Sequence, residues 1–151
     1  MEDIDFKIAL LEQGRQVLNK RITAIKQEIT YLTEDLAEDT KSSAGDKFET
    51  SREMANLERQ KLAEQLALNK KLLGFINSLS AKECHEVQAG ALVETNTVSF
   101  YISVSLGEVL VAGRKILYIS PSAPLAQILL GARVGESIEF NRQHYSIESI
   151  Y

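Results

Sequence analysis

A chain of 151 residues is long enough for one ordinary domain or two small ones, and its 44% hydrophobic and 25% charged residues are normal for a soluble globular protein. A formal net charge of -4 and a pI near 5.3 argue against broad, sequence-independent binding to duplex DNA, which needs a basic face, but leave room for a local basic patch. The absence of any apolar run near the ~20 residues that cross a bilayer, the acidic start MEDIDF in place of a signal peptide, and the single cysteine, Cys84, predict a reduced, cytoplasmic protein with no membrane partner and no internal disulfide.

Residues 1–80 contain no proline and only three glycines, at 14, 45 and 74, among many good helix formers. Ile4, Leu11, Leu18, Ile25 and Leu32 recur every seven residues; Ile8, Ile22, Ile29 and Leu36 form a second series offset by four, broken at Arg15. That alternation of fours and threes is a coiled-coil seam and predicts a helix over about 4–38, roughly 50 Å long. Arg15 then reads as a residue at the edge of the seam, its stem packed and its head in water. A return helix over about 46–79 carries Phe48, Ala55, Leu62, Leu66, Leu73 and Ile76 at matching spacing, with Arg52, Arg59 and Asn69 as interruptions. Folding the chain at residue 42 pairs Leu36 with Phe48, Ile29 with Ala55, Ile22 with Leu62 and Ile8 with Ile76. This predicts an antiparallel hairpin. The other arrangement is one continuous helix in a parallel dimer; Gly45 and the Ser42-Ser43 pair favour the turn, with its tip at about 39–48 and the chain a monomer.

The composition changes near residues 78–86, so the expected domains are 1–80 and 81–151. TVSFYISVS (97–105) alternates and is rich in β-branched and aromatic residues, EVLVAG and KILYIS follow, and Gly107 and Gly113 signal turns. SPSAPLAQILLG reads as a turn and a short helix ending at Gly131, with Leu125, Ile128 and Leu129 mostly in the core. SIEF (137–140) and HYSIESIY (144–151) read as two strands joined by a tight turn, with His144 at the surface. The expected class is α+β: a long N-terminal antiparallel coiled-coil hairpin, then a small antiparallel sheet packed on one short helix.

Three stretches resemble the bacterial Gre transcript-cleavage factors, GreA and GreB. GDKFE (45–49) resembles the family's tip signature of a glycine, an aspartate and, three residues on, a glutamate. SPSAPLAQILLGARVGESIEF (120–140) resembles its C-terminal motif, and HYSIESIY resembles its closing strand. The resemblance implies a hairpin that enters the secondary channel of RNA polymerase and an FKBP-like C-terminal domain that docks on the channel rim. It also implies that Asp46 and Glu49 help to hold a second Mg²⁺ in the polymerase active site, which then hydrolyses backtracked RNA near its 3′ end. No cofactor would be bound by the isolated protein, and the protein would not be an enzyme by itself. Thr50, Ser51, Arg52 and Glu53 stand where the family usually has Asn-Ala-Glu-Tyr. Related factors with altered tips occupy the same channel and inhibit, so a channel-binding regulator without cleavage activity is the second reading. An unrelated coiled-coil adaptor is the third.

Two-metal hydrolysis clamps the attacking and leaving oxygens between ions ~3.5–4 Å apart. Mg²⁺ takes oxygen ligands and keeps several waters, so one or two added carboxylates suffice. Asp46 and Glu49, at i and i+3, share one face of a helix start. The same Asp-x-x-Glu spacing also makes a capping-box-like arrangement, and the two roles can coexist. Glu34, Asp35, Glu38 and Asp39 crowd the same end, where acids oppose the dipole at a helix C-terminus. Lys20, Arg21 and Lys61, with Lys26, Lys70 and Lys71, read from spacing as a solvated face; the resemblance implies contact with RNA. Ser120, Pro121, Ser122, Pro124 and Leu125 are the candidate polymerase-docking edge. Cys84 and His85 are too few for a zinc site and, as sequence neighbours with no third group, do not make a catalytic pair.

Overall fold

The computed structural model describes residues 3–39 and 45–151, with side chains for 3–35 and 49–151. Two long helices, α1 (Asp3–Asp39) and α2 (Gly45–Ser78), precede β1 (Leu92–Thr95), β2 (Ser99–Ile102), β3 (Gly107–Val111), β4 (Arg114–Ile119), α3 (Pro124–Leu129), β5 (Ser137–Phe140) and β6 (Gln143–Ile150). This is the expected α+β layout of a helical pair followed by a largely antiparallel sheet with one short helix. The chain packs as two compact units, Val17–Leu73 and Met1–Gln16 together with Gly74–Tyr151. The composition change at 78–86 therefore marks the end of α2, whereas by packing the first turns of α1 and the last turn of α2 go with the sheet.

Within Val17–Leu73 the heptad stripe does what its spacing demands. Leu18, Ile22 and Leu62 are buried, and Ile25, Ile29 and Leu32 on α1 and Ala55, Arg59, Leu66, Asn69 and Leu73 on α2 are half-buried. The polar interruptions keep their places in the stripe: Arg59 is half-buried, and Asn69 turns its amide back to the Gln65 carbonyl at 2.8 Å. The register differs from the one expected. Ile29 shares a shallow depression with Asn56, Arg59, Gln60 and Ala63 rather than facing Ala55 alone. At the base of the hairpin, Gly14 rather than Ile8 faces Ile76, and Arg15 Nε donates to Asn77 Oδ1 at 2.7 Å. The cause lies in the pattern itself: a slip of about one heptad returns a heptad stripe to itself, so periodicity selects faces and leaves register open.

In the other unit, the sheet runs β3-β4-β2-β1-β6-β5. All neighbours are antiparallel except β2 and β4, which pair in parallel with Phe100, Tyr101 and Ile102 opposite Leu117, Tyr118 and Ile119. Both faces of the centre are covered. On one face, Val93, Phe100 and Ile102 form a core with Cys84, Val87, Leu129, Tyr145 and Ile147, against which Leu117, Ile119 and Leu125 pack. On the other, Tyr101 and Tyr118 meet edge to face at 5.1 Å, and the Tyr118 hydroxyl donates to the Leu10 carbonyl of α1 at 2.7 Å. Three consecutive buried residues, Phe100, Tyr101 and Ile102, are the signature of a doubly covered central strand. The sheet packs on its one short helix as expected, and the start of α1 supplies a second layer on the other face. For that reason α1 turns a different stripe inward there. Phe6, Lys7, Leu10, Leu11 and Gly14 are buried, while Ile4 and Ile8 of the expected seam are 53% and 42% exposed. The strand expected over 97–105 is also redistributed. Residues 92–95 form β1, Thr95–Val98 closes a turn through Thr95 N to the Val98 carbonyl at 3.1 Å, and β2 stops at Ile102.

The two hairpins β3–β4 and β5–β6 have two-residue turns with left-handed backbone at both positions: Ala112 (φ 48°) and Gly113 (φ 80°), and Asn141 (φ 50°) and Arg142 (φ 64°). Turns of this twist match the strands but disfavour a Cβ at the first position unless it is Asn or Asp. Ala112→Asn is therefore expected to stabilise the protein by about 0.5–1 kcal/mol, read as a higher urea midpoint with unchanged slope; a lower midpoint would contradict the turn assignment.

The two tyrosines differ in one respect. Tyr118 has its Leu10 partner, whereas the Tyr101 hydroxyl is buried with no hydrogen-bond partner among the described residues. Tyr118→Phe is expected to cost about 1–1.5 kcal/mol, and Tyr101→Phe to be neutral or slightly stabilising. Burial pushes both phenols above their ordinary value, with Tyr101 adding to the shift at Tyr118. The unfolded chain then gives up these protons first, so stability is retained below about pH 10 and falls as pH rises beyond it. Denaturant melts from pH 8 to 11 should show a shallower alkaline decline in Tyr118→Phe than in the wild type.

Candidate functional site

The candidate site at the hairpin tip is built from the two helix ends. The turn, residues 40–44, and the Asp46 side chain lie outside the described residues. The backbone of α2 starts at Gly45, which places positions 46 and 49 in its first turn and a few residues into the helix. Glu49 is exposed, as are Thr50, Ser51, Arg52 and Glu53 after it. From α1, Glu34 and Asp35 are exposed in the helix's penultimate turn, and no basic residue stands in its last turn. The dipoles of α1 and α2 thus place partial negative charge at the end of one helix and partial positive charge at the start of the other, with acidic side chains near both. A carboxylate at the start of α2 is favoured by that dipole. Oxygen donors of this kind suit Mg²⁺. Among the described residues no group of three or more His, Cys, Asp or Glu side chains converges into a metal site.

Lys20, Arg21 and Lys61 are all exposed. They do not form one cluster. With Ile29 beside Asn56–Ala63, Lys61 lies level with residues near 28 of α1, about two helical turns from Lys20 and Arg21. Residues 70 and 71 stand closer to the level of Lys20 on the facing helix, so Lys70 and Lys71 are the better companions for it. Periodicity alone could not show this, because it did not define the register.

The stretch 120–125 forms a closed turn. The Ser120 carbonyl accepts from Ala123 N at 3.0 Å, Ser120 Oγ accepts from Ser122 N at 3.2 Å, and the Gln127 amide donates to the Pro121 carbonyl at 2.6 Å. Pro124 opens α3 where no backbone donor is needed, and Gly131 (φ 84°) follows its end. Ser122 and Pro124 are exposed, Ser120, Pro121 and Leu125 half-buried, and Leu125 packs on the core. Of the helix residues expected in the core, Leu129 is buried, but Ile128 is 47% exposed. The five residues proposed as a docking edge are thus one rigid turn with an exposed crest.

Cys84 is buried and His85 exposed, so the adjacent pair points to different surroundings. The residue missed in the sequence is Lys7. It is 1% exposed, and its Nζ donates to the carbonyls of Lys82 and Tyr151 and lies 3.6 Å from Cys84 Sγ. A signal existed: Lys7 belongs to a 3/4-spaced row with Leu10, Leu11, Gly14 and Leu18, beside the seam that was read.

No family model matches the chain, and no similar curated protein is found. Solved structures similar to it include the GreA factor homolog 1 (Gfh1) protein of Thermus thermophilus, at 19% identity and a TM-score of 0.40 over 92% of this chain and 95% of that one. The transcription factor Gfh1 is similar at 20% identity and a TM-score of 0.39 over 91% and 94%, and Thermus aquaticus Gfh1 at 19% and 0.39 over 93% and 95%. At this identity and TM-score, the fold rests on the chain's own geometry.

Proposed function

We propose that this chain is a Gre-like transcription factor that inserts its helical hairpin into the secondary channel of RNA polymerase and stimulates Mg²⁺-dependent cleavage of backtracked RNA. The observation that carries the reading is the hairpin. Helices of 37 and 34 residues follow each other in the chain and present an exposed glutamate, Glu49, near the start of the second. A helix of that length reaches about 50 Å, far more than its own small core requires. In this reading Asp46 and Glu49 offer carboxylate oxygens to a metal whose other ligands belong to the polymerase. Bound there, Mg²⁺ activates water and neutralises charge on the phosphate. The chain's own work is to carry the carboxylates to that place and hold them. The turn at Ser120–Leu125 docks on the channel rim, and the protein acts as a cytoplasmic monomer, bound next to the RNA 3′ end. The isolated chain is not an enzyme.

The test is a stalled, backtracked elongation complex from the same host. Added protein should co-purify with polymerase and shorten the RNA only when Mg²⁺ is present. Co-purification without shortening would replace this reading with the second one, a channel-binding regulator. The observation favouring that second reading is the exposed Thr50–Glu53 run, which lacks the aromatic residue usual in the family. Failure to co-purify would sink both and leave a coiled-coil adaptor.

A further inference from the structure

Among the described residues, Lys7 is the buried cation, and neither it nor Cys84 has a part in the proposed function. Nζ and Sγ lie 3.6 Å apart. The remaining Nζ donors go to the carbonyls of Tyr151, at 3.0 Å, and Lys82. An open cleft of about 370 Å³, lined by Asp3, Ile4, Lys7, Glu83 and Tyr151, brings solvent to the lysine side of the pair. The bland account is an ammonium with three donors matched to three acceptors. That account counts the sulfur as the third acceptor, and it leaves an amine and an oxidisable thiol in direct contact.

We propose that Lys7 and Cys84 form an oxidative crosslinking site, in which a peroxide joins Nζ to Sγ through a covalent S–N bond. In the first step the thiol takes one oxygen from hydrogen peroxide and becomes a sulfenic acid. The O–O bond breaks, sulfur loses two electrons, and water leaves. In the second step the amine lone pair attacks the sulfur. The S–O bond breaks, and the hydroxyl departs with an amine proton as a second water. The product contains two hydrogens fewer than the thiol and amine together. Sulfenic acids condense with a thiol or, as a sulfenamide, with a backbone nitrogen; here the nitrogen at hand is the lysine amine, and Cys84 is the chain's single cysteine, so it has no internal resolving thiol.

Two features favour nitrogen as the trap. Burial lowers the Lys7 pKa, an effect only opposed by the neighbouring Cys84 and Glu83, and so enlarges the share of neutral, nucleophilic amine. The four-carbon lysine stem is flexible enough to close the remaining distance. The bond would tie the second turn of α1 to the segment after α2, beside the end of β6, closing a long loop of the chain.

The test uses the full-length folded protein, treated with hydrogen peroxide, alkylated, cut at glutamate and mapped by mass spectrometry. The expected result is a linked pair of peptides containing Lys7 and Cys84, two hydrogens lighter than their sum and released by dithiothreitol. The oxidised protein should also melt at a higher temperature than the reduced one. The link should vanish in Cys84→Ser and in protein oxidised in urea. The wild-type mapping decides the matter even where a variant folds poorly. Recovery of Cys84 from the folded wild type as free thiol, or as sulfinic or sulfonic acid with the Lys7 amine free, would overturn the proposal.

Discussion

Asp46→Asn should lower Mg²⁺-dependent RNA shortening about 100-fold, the cost of removing one preorganised electrostatic group from a reacting site, while leaving polymerase binding unchanged. The substitution is informative because asparagine caps a helix about as well as aspartate. The start of α2 at Gly45 should survive, as should the helical circular dichroism, and only the ligand's charge is lost. Glu49→Gln should act in the same direction, since Glu49 stands one turn on from Asp46 and is exposed. Measured rates in a backtracked complex, with binding followed separately, divide the two roles. If Asp46→Asn shortens RNA at the wild-type rate, the carboxylate is a cap. If both variants lose binding and cleavage together, the tip docks rather than catalyses. Under the regulator reading, neither wild type nor variant shortens RNA, and the substitutions instead weaken inhibition.

Gly14→Val should destabilise the folded protein by about 2–3 kcal/mol, the range for overpacking a well-filled interior. A Cβ at Gly14 would run into Ile76 Cδ1 and stand 3.3 Å from Tyr118 Cε2, where α1, α2 and β4 meet within one compact unit. Ile76 and Tyr118 are 0% and 1% exposed, so neither borders solvent into which it could swing. Helix propensity alone predicts the opposite sign, because alanine in a helix interior is favoured over glycine by roughly 1 kcal/mol. The two effects can be separated. Gly14→Ala should lose stability despite its propensity, and Ile76→Val, which deletes the blocking Cδ1 atom, should cost about 1 kcal/mol by itself. Together they should be no worse than Ile76→Val alone, a favourable coupling of about 1 kcal/mol. Additive losses in urea melts would show that Gly14 is not selected by this contact.

The outcome at Gly14 shows how far the linear pattern goes. The hairpin, its approximate helix ends and the α+β order were legible because a seven-residue apolar repeat and a Gly- and Ser-bearing break are local properties of the chain. The strands from 107 onward, the short helix and its Gly131 stop were legible for the same reason. Where sequence reasoning missed, it missed through contacts between distant segments. Ile4 and Ile8 continue the repeat yet are exposed, because the first turns of α1 are recruited by Tyr118 and the sheet rather than by the repeat. The linear pattern holds no sign of the partners of Lys7, because Cys84, Lys82 and Tyr151 are brought to it from more than 70 residues away. The parallel pairing of β2 with β4 follows from β3 taking the sheet's edge, which alternation along a strand does not encode.

The same division applies to the site. Residue chemistry and spacing by themselves put Asp46 and Glu49 on one face of a helix start, because a carboxylate pair at i and i+3 is defined within one helical turn; their service to a cation is part of the proposed function. Tertiary structure alone decided which residues stand level across the hairpin, which face of α1 is buried, and that an amine and a thiol meet in the core. Each of these is a choice among packings that one apolar pattern satisfies equally well. Only the summed burial and hydrogen bonding of the folded chain separates them.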